Sequence, residues 1–151
     1  MEAGRTSQSG RIGARDMVHF RGHPMVRSTH PRTIEITTEG HLTENGDCII
    51  GVGASKGCAG LDPRVREGLK RSGSRVTIRI VVGQAVFDVK ASGDPRLELT
   101  HEHDMVIRKS DYVSDRTLAV GADSASIDIP RDMIRLLQDQ KTEGRLEIEV
   151  I

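Results

Sequence analysis

The sequence predicts an α+β, mainly β fold: an internally duplicated, pseudo-twofold β-barrel with one short helix per repeat. Three observations carry this expectation. The apolar residues are mostly Val, Ile and Leu, with no Trp, one Tyr and two Phe in 151 residues, and β-branched aliphatics suit a pleated, half-buried surface. Several segments alternate apolar and polar residues at period two, which is the signature of a strand with one buried face. A short window also recurs: Gly22-His23-Pro24 through Thr29-His30 returns 71 positions later as Gly93-Asp94-Pro95 through Thr100-His101.

Residues 1–16 hold Ile12 as their one strong apolar residue and are rich in Gly, Ser and Arg. Such a segment buries too little surface to offset the entropy of ordering. It reads as a disordered, dispensable extension, of the kind a start codon assigned too far upstream adds, and Met17 opens the patterned chain. Met17 to Phe20 reads as a short strand ending at the Gly-x-Pro corner. Thr33 to Thr38 alternates, with Ile34 and Ile36 on one face, and after a turn-rich stretch Cys48 to Val52 reads as a buried strand. Asp62-Pro63 is an N-cap followed by a first-turn proline. Val65 and Leu69 give the following helix its apolar stripe, and Ser72-Gly73 stops it. Val76, Ile78 and Ile80 alternate in the next strand, which Gly83-Gln84 turns into a hairpin with residues 86–89.

The second half repeats this order. Met105 and Ile107 stand 71 residues after Ile34 and Ile36, and Asp115, Val120, Gly121 and Ala122 stand 68 after Asp47, Val52, Gly53 and Ala54. Pro130, Arg131 and Leu136 follow Pro63, Arg64 and Leu69 by 67, while Leu146, Ile148 and Val150 follow Val76, Ile78 and Ile80 by 70. The offsets change in loops, where insertions are tolerated. A unit of about 65 residues with one short helix is marginal alone. Residues 17–151 are therefore expected to form one domain from two interleaved repeats, about 17–83 and 84–151. Barrel closure would remove exposed edges, with the helices plugging or flanking its ends.

Composition excludes some functions. No run of about 18 apolar residues exists, so no membrane-spanning helix and no membrane partner are expected. Cys48 and Cys58 form no C-x-x-C pair and read as reduced thiols, which points to the cytoplasm. Charge is uneven: residues 17–83 carry ten Lys and Arg against six Asp and Glu, residues 84–151 nine against fourteen. Two packed halves of complementary charge explain this, and so does a basic face that meets an anion. With so few aromatics, base stacking on RNA is disfavoured, while contact with an RNA backbone is not.

The stretches Phe20-Arg21-Gly22-His23-Pro24 through Thr29-His30, Gly46-Asp47-Cys48-Ile49, Asp104-Met105-Val106-Ile107-Arg108-Lys109-Ser110-Asp111 and Asp115-Arg116-Thr117-Leu118-Ala119 are the most distinctive in the chain. Together they resemble an uncharacterised, mainly archaeal family, the domain of unknown function numbered 371. The resemblance spans roughly residues 17–151. It implies an archaeal cytosolic protein and supplies no activity and no catalytic residues.

Function is therefore read from the residues. Arg108, Lys109, Ser110 and Arg116 flank a turn at Tyr112, and Arg suits a bidentate grip on phosphate or carboxylate. The alternative is a salt-bridged turn in which Asp115 holds Arg108 or Arg116. The Gly-rich residues 51–60, with Lys56, offer backbone donors for an anion, although their order is not that of a phosphate loop. His23, His30 and His101 sit in the repeated corners, either as ligand contacts or as turns whose imidazoles the backbone satisfies. His101, His103 and Asp104, with Cys48 nearby, make a candidate divalent-metal site. Cys58, near Lys56 in a flexible loop, is the better reactive thiol. The leading expectation is a cytosolic binding module for an anionic ligand: a nucleotide, a phosphate metabolite or an RNA backbone. The alternative is a metal- or histidine-dependent enzyme acting on a small polar substrate, and a role in protein assembly stays open.

Overall fold

The computed structural model describes residues 13–42 and 46–151. Its elements run β1 (Ala14–Arg21), β2 (Thr33–Thr37), β3 (Ile49–Gly51), α1 (Pro63–Leu69), β4 (Arg75–Val82), β5 (Ala85–Ser92), β6 (Asp104–Arg108), β7 (Thr117–Ala119), α2 (Arg131–Leu137) and β8 (Glu143–Val150). The α+β, mainly β class follows directly. Helix α1 starts as its sequence dictates: the Asp62 carboxylate accepts the Arg64 N–H at 2.8 Å and Pro63 occupies the first turn. Gly83, at φ +61°, supplies the left-handed residue in the tight turn between β4 and β5.

The strands form two sheets of order β1-β8-β4-β5 and β3-β2-β6-β7. The first is antiparallel throughout. In the second, β2 and β6 pair antiparallel at the centre, and β3 and β7 run parallel to them on the outside. One core lies between the sheets, taking Val18, Phe20, Ile78 and Ile148 from the first and Ile34, Ile36, Met105 and Ile107 from the second. Val65 and Leu69 of α1 and Met133, Ile134 and Leu137 of α2 complete it. Helix α1 lies beside β1 and β8, and α2 beside β3 and β4. Phe20 fills the centre of one end, with its ring against the backbone of Gly51 and Gly144.

The expected closed barrel is not formed. The two sheets meet through one isolated bridge on each side, Arg21 with Val52 and Ser92 with Val120. The reason is the length of β3 and β7: three residues each, after which the chain turns away. The remaining edges are covered by loops. Ser55 donates its N–H to His19 O at 2.8 Å and accepts the His19 N–H on its hydroxyl. On the other side Asp123 donates its N–H to Lys90 O at 2.9 Å and accepts the Lys90 N–H on its carboxylate. Covering an edge blocks pairing with other chains as closure does.

Corresponding positions of the two segments make the same bonds. Thr29 and His30 both donate to Asp47 O, and Thr100 and His101 both donate to Asp115 O. Ser28 and Leu99 share a left-handed φ of 55°, and Gly53 and Gly121 have φ of 60° and 61°. Ala59 donates to His101 O and Ile127 to His30 O, so each segment's loop packs on the other's corner.

The boundary expected at Met17 falls three residues late. Ala14, Arg15 and Asp16 belong to β1 and pair with Val150, Glu149 and Ile148 of β8. Sequence alternation is silent there because the polar Arg15 and Asp16 leave Ala14 as the only apolar residue, while the pairing comes from a distant strand. Residues 1–12 lie outside the described part of the chain.

Candidate functional site

The register of the central pair decides which side chains share the outer face of the second sheet. Ile34 and Ile36 point into the core, so Thr33, Glu35 and Thr37 point away from it; on β6, Asp104, Val106 and Arg108 do the same. Glu35 stands opposite Val106, and Thr37 opposite Asp104. This face is only partly open to water. Beside β2, Cys48 O accepts the Glu35 N–H at 2.9 Å at the start of the parallel β2–β3 pairing, and the Cys48, Asp104 and Arg116 side chains crowd the Glu35 carboxyl. Glu35 is left only 6 % exposed on the side away from the core. A cleft of about 370 Å³ remains, lined by Glu35, Glu39, His41, Cys48, Asp104 and Arg116 among others.

Arg116 organises the carboxylates in this cleft. Its Nη1 donates to Asp104 Oδ2 at 2.9 Å and lies 3.8 Å from Glu35 Oε2. Glu35 Oε1 accepts the Cys48 thiol at 3.3 Å. Burial, reinforced by the Asp104 carboxylate, pushes the Glu35 carboxyl above its ordinary range, and Cys48 and Arg116 offset this only in part. Burial, with Glu35 alongside, pushes the Cys48 thiol up to about 12, so it is a hydrogen-bond donor and not a nucleophile at neutral pH.

Arg108 adjoins this group. Its Nε donates to Thr117 Oγ1 at 2.8 Å, its Nη2 to Ser114 Oγ at 3.3 Å, and its guanidinium lies 4.9 Å from the Tyr112 ring centre. Among the described residues no carboxylate pairs with it. Burial and the neighbouring Arg116 both disfavour its charge, lowering its pKa.

The structure thus brings Arg116, Asp104 and Arg108 together and adds Glu35, Glu39, His41 and Thr117, which sequence reasoning missed. Asp115 is not the arginine partner expected; that partner is Asp104, twelve residues before Arg116. His101 Nε2 lies 3.9 Å from Asp104 Oδ2, while its Nδ1 accepts the N–H groups of His103 and Asp104 at 3.1 and 2.9 Å. His30 Nδ1 likewise accepts those of Arg32 and Thr33, and His23 Nδ1 that of Met25. These three imidazoles hold turns. His103 Nδ1 shares a 2.6 Å bond with Thr38 Oγ1. Among the described residues no three His, Cys, Asp or Glu groups gather closely enough for a metal ion, so His101, His103 and Asp104 do not assemble the expected set.

Other candidates are engaged elsewhere. Lys56 donates to both oxygens of Asp16 at 2.9 Å. Lys109 lies 3.7 Å from Asp128, and Ser110 Oγ accepts the Tyr112 N–H. Cys58 is not the reactive thiol: it is fully buried in a short 3-10 turn, its Sγ faces Arg116 O at 3.5 Å, and burial pushes it up to about 12.

Glu35 makes a testable contribution to stability. Its raised pKa means that the folded state holds the proton more tightly than the unfolded chain. The contribution is favourable at low pH and is lost as pH rises through the folded value. Glu35→Gln, which cannot ionise, is expected to gain about 0.5–2 kcal/mol above that value. The gain should vanish below about pH 4, where the unfolded glutamate is also protonated. Urea melts at pH 3.5 and pH 8 check this, and an equal difference at both would refute it.

A small two-sheet α+β protein, with a polar cleft on the outer face of the sheet centred on β2 and β6, is the class that fold and site define. The chain belongs to the family described as domain of unknown function (DUF371), whose signature matches residues 18–151. It is similar to the Uncharacterized protein MJ0206 of Methanocaldococcus jannaschii, at 36 % identity over 125 residues, which cover 83 % of this chain and 92 % of the relative. The archaeal family indicated by the motifs is thereby established.

Proposed function

We propose that the chain is a cytoplasmic binding module for a small ligand bearing an anionic group, received by Arg108 with Arg116 beside it. Arg108 carries this reading: a half-buried guanidinium in no ion pair among the described residues, with Glu35 as a more distant negative charge, oriented by two hydroxyls and repelled by a second guanidinium. A phosphate or carboxylate there would relieve both the desolvation and the repulsion. Arg116 lines the cleft, with Arg108 next to it, and the cleft's size suits a small molecule, which favours a nucleotide fragment or phosphate metabolite over an RNA backbone. Two free cysteines are consistent with a reducing compartment, and no helix among the described residues is long and apolar enough to cross a membrane. The histidine- or metal-dependent enzyme has less support, because His23, His30 and His101 spend a ring nitrogen on backbone turns.

We read the paired corners and bridges as the product of an internal duplication. On that reading the cleft is where the halves diverged: at the 71-residue offset Glu35 meets Val106 and Thr33 meets Asp104, and at 68 Cys48 meets Arg116.

Titration with propyl phosphate, followed by NMR, tests the anion. Arg108→Ala is expected to weaken binding at least about tenfold, or about 1.4 kcal/mol, and added salt should weaken the native protein in the same direction. Lys109→Ala, whose charge faces Asp128, should stay within about twofold. Equal affinity in the native and Arg108→Ala proteins would refute the reading.

A further inference from the structure

The loop cover of the first sheet stops short on β5. Strands β1 and β5 are its outer strands, and antiparallel pairing turns alternate residues of each toward the outside. On β5, Ser92 exchanges both backbone bonds with Val120, and Lys90 is held on the same side by Asp123. Alternation places Asp88 and Val86 there too. Among the described residues nothing accepts their outward N–H groups or donates to their carbonyls. The matching stretch of β1, 71 residues earlier, is guarded. Arg21 and His19 are bonded to Val52 and Ser55, and Asp16 takes the Met17 N–H. Arg15 and Asp16 also stand where β5 has Val86 and Phe87. Charges on an edge strand, above all those directed inward, are what keep such edges from pairing. Positions 86 and 87 carry none. Val86 is 53 % exposed, more than any other large aliphatic side chain among the described residues.

We propose that the open end of β5 pairs antiparallel with β5 of a second copy of the chain, about a symmetry axis at Val86, and so joins two four-stranded sheets into one. The stretch is complementary to itself in that register. Val86 meets the partner subunit's Val86 as a hydrogen-bonded pair, which uses its outward N–H and C=O. Ala85 and Phe87 meet each other on the core side, once on either side of the axis. Both are apolar and only partly buried against the core, and they fall at a position without backbone bonds, where side chains come closest. Asp88 meets Gln84, so no like charges face each other, and it keeps its 2.9 Å ion pair with Arg79. Moving the axis to Phe87 would set the Gly83-Gln84 turn against Lys90, whose outer side Asp123 already fills. An unrelated extended peptide would find only these two outward positions, whereas symmetry makes every contact twice. A contact this short belongs to the weak end of protein interfaces, so the dimer forms as concentration rises.

Sedimentation velocity of the full-length protein from about 10 to about 500 μM is expected to show a monomer converting to a dimer. Over the same range the Val86 and Asp88 amides should gain protection from hydrogen exchange. Val86→Lys, which sets two ammonium groups against each other on the axis, should weaken dimerisation at least about tenfold. Met17→Lys, on the guarded edge, should change it by less than about twofold. Thermal melts of both variants show that the fold is kept. Val86→Cys should crosslink into a dimer under mild oxidation, because hydrogen-bonded pairs set their Cα atoms about 5.5 Å apart, and Met17→Cys should not. A native protein that stays monomeric, with no crosslink through Val86→Cys, overturns the proposal. A dimer that Val86→Lys leaves intact overturns its placement at this edge. Protection of the two amides that does not change with concentration overturns the second copy as the occupant.

Discussion

Truncating Phe20 to alanine is expected to remove about 3–5 kcal/mol of unfolding free energy. Gly51→Ala should cost about 2–3 kcal/mol alone, but under about 1 kcal/mol once Phe20 is gone. Phe20 is 2 % exposed and sits between two strands of different sheets. A Cβ at Gly51 would fall inside the van der Waals surface of the Phe20 ring, and one at Gly144 would come within 2.6 Å of its Cζ. The ring cannot retreat, because Gly144 faces its far edge across the register that pairs Phe20 with Gly144. The two glycines are therefore the shape complement of the ring, and removing the ring releases the constraint at Gly51. For a chain of this length Phe20→Ala corresponds to a drop in Tm of roughly 10–15 °C. A double-mutant cycle from urea melts should give a coupling of about 2 kcal/mol. Costs that add within about 0.5 kcal/mol would show that the Gly51 backbone moves away from an added methyl.

What could be read in the sequence is what adjacent residues decide. The Asp62-Pro63 helix start depends on groups two residues apart, and it forms as expected. The histidine corners are also local, since each Nδ1 reaches an N–H two or three residues on. The sheet edges are not local. Whether β3 and β7 extend far enough to close a barrel depends on where the chain leaves its neighbour, and alternation carries no such information. Proximity in sequence misdirected the choice of arginine partner. Asp115 adjoins Arg116 in the chain, but the parallel register of β6 with β7, Val106 against Thr117, brings Asp104 to it. Glu35 was hidden for a related reason. An Ile-Glu-Ile alternation assigns the glutamate to water, and only Cys48, Asp104 and Arg116, brought in from later in the chain, turn it into a buried acid. The one sequence signal for it is its match with Val106 at the 71-residue offset, a charged residue against an apolar one.

The same distinction between local pattern and distant partner governs Asp16, which sequence reasoning assigned to a dispensable extension. Asp16→Ala is expected to cost about 2–4 kcal/mol at pH 7, in the range of broken, largely buried ion pairs, and a chain shortened to begin at Met17 should lose at least as much. The Asp16 side chain is 12 % exposed and its two oxygens are fully used. Oδ1 accepts the Met17 N–H at 2.7 Å and Lys56 Nζ at 2.9 Å; Oδ2 accepts Lys56 Nζ at 2.9 Å and the Asp62 N–H at 2.8 Å. One carboxylate thus ties β1 to the Gly-rich loop and to the residue that caps α1. Its removal strands a lysine ammonium that is itself only 28 % exposed. Burial alone would raise this carboxyl, but Lys56 and the Asp62 and Met17 N–H groups outweigh it and hold it below the usual range. Because the folded pKa lies below the unfolded one, the contribution is complete above about pH 4–5 and is lost as pH falls through the folded value. The native protein should therefore lose stability relative to Asp16→Ala on acidification, with the two urea midpoints converging toward about pH 2. A gap of constant size from pH 7 to pH 2 would mean that packing, not the ionised carboxylate, accounts for the loss. Little or no loss on shortening to Met17 would show that β8 does not need residues 14–16 as a partner.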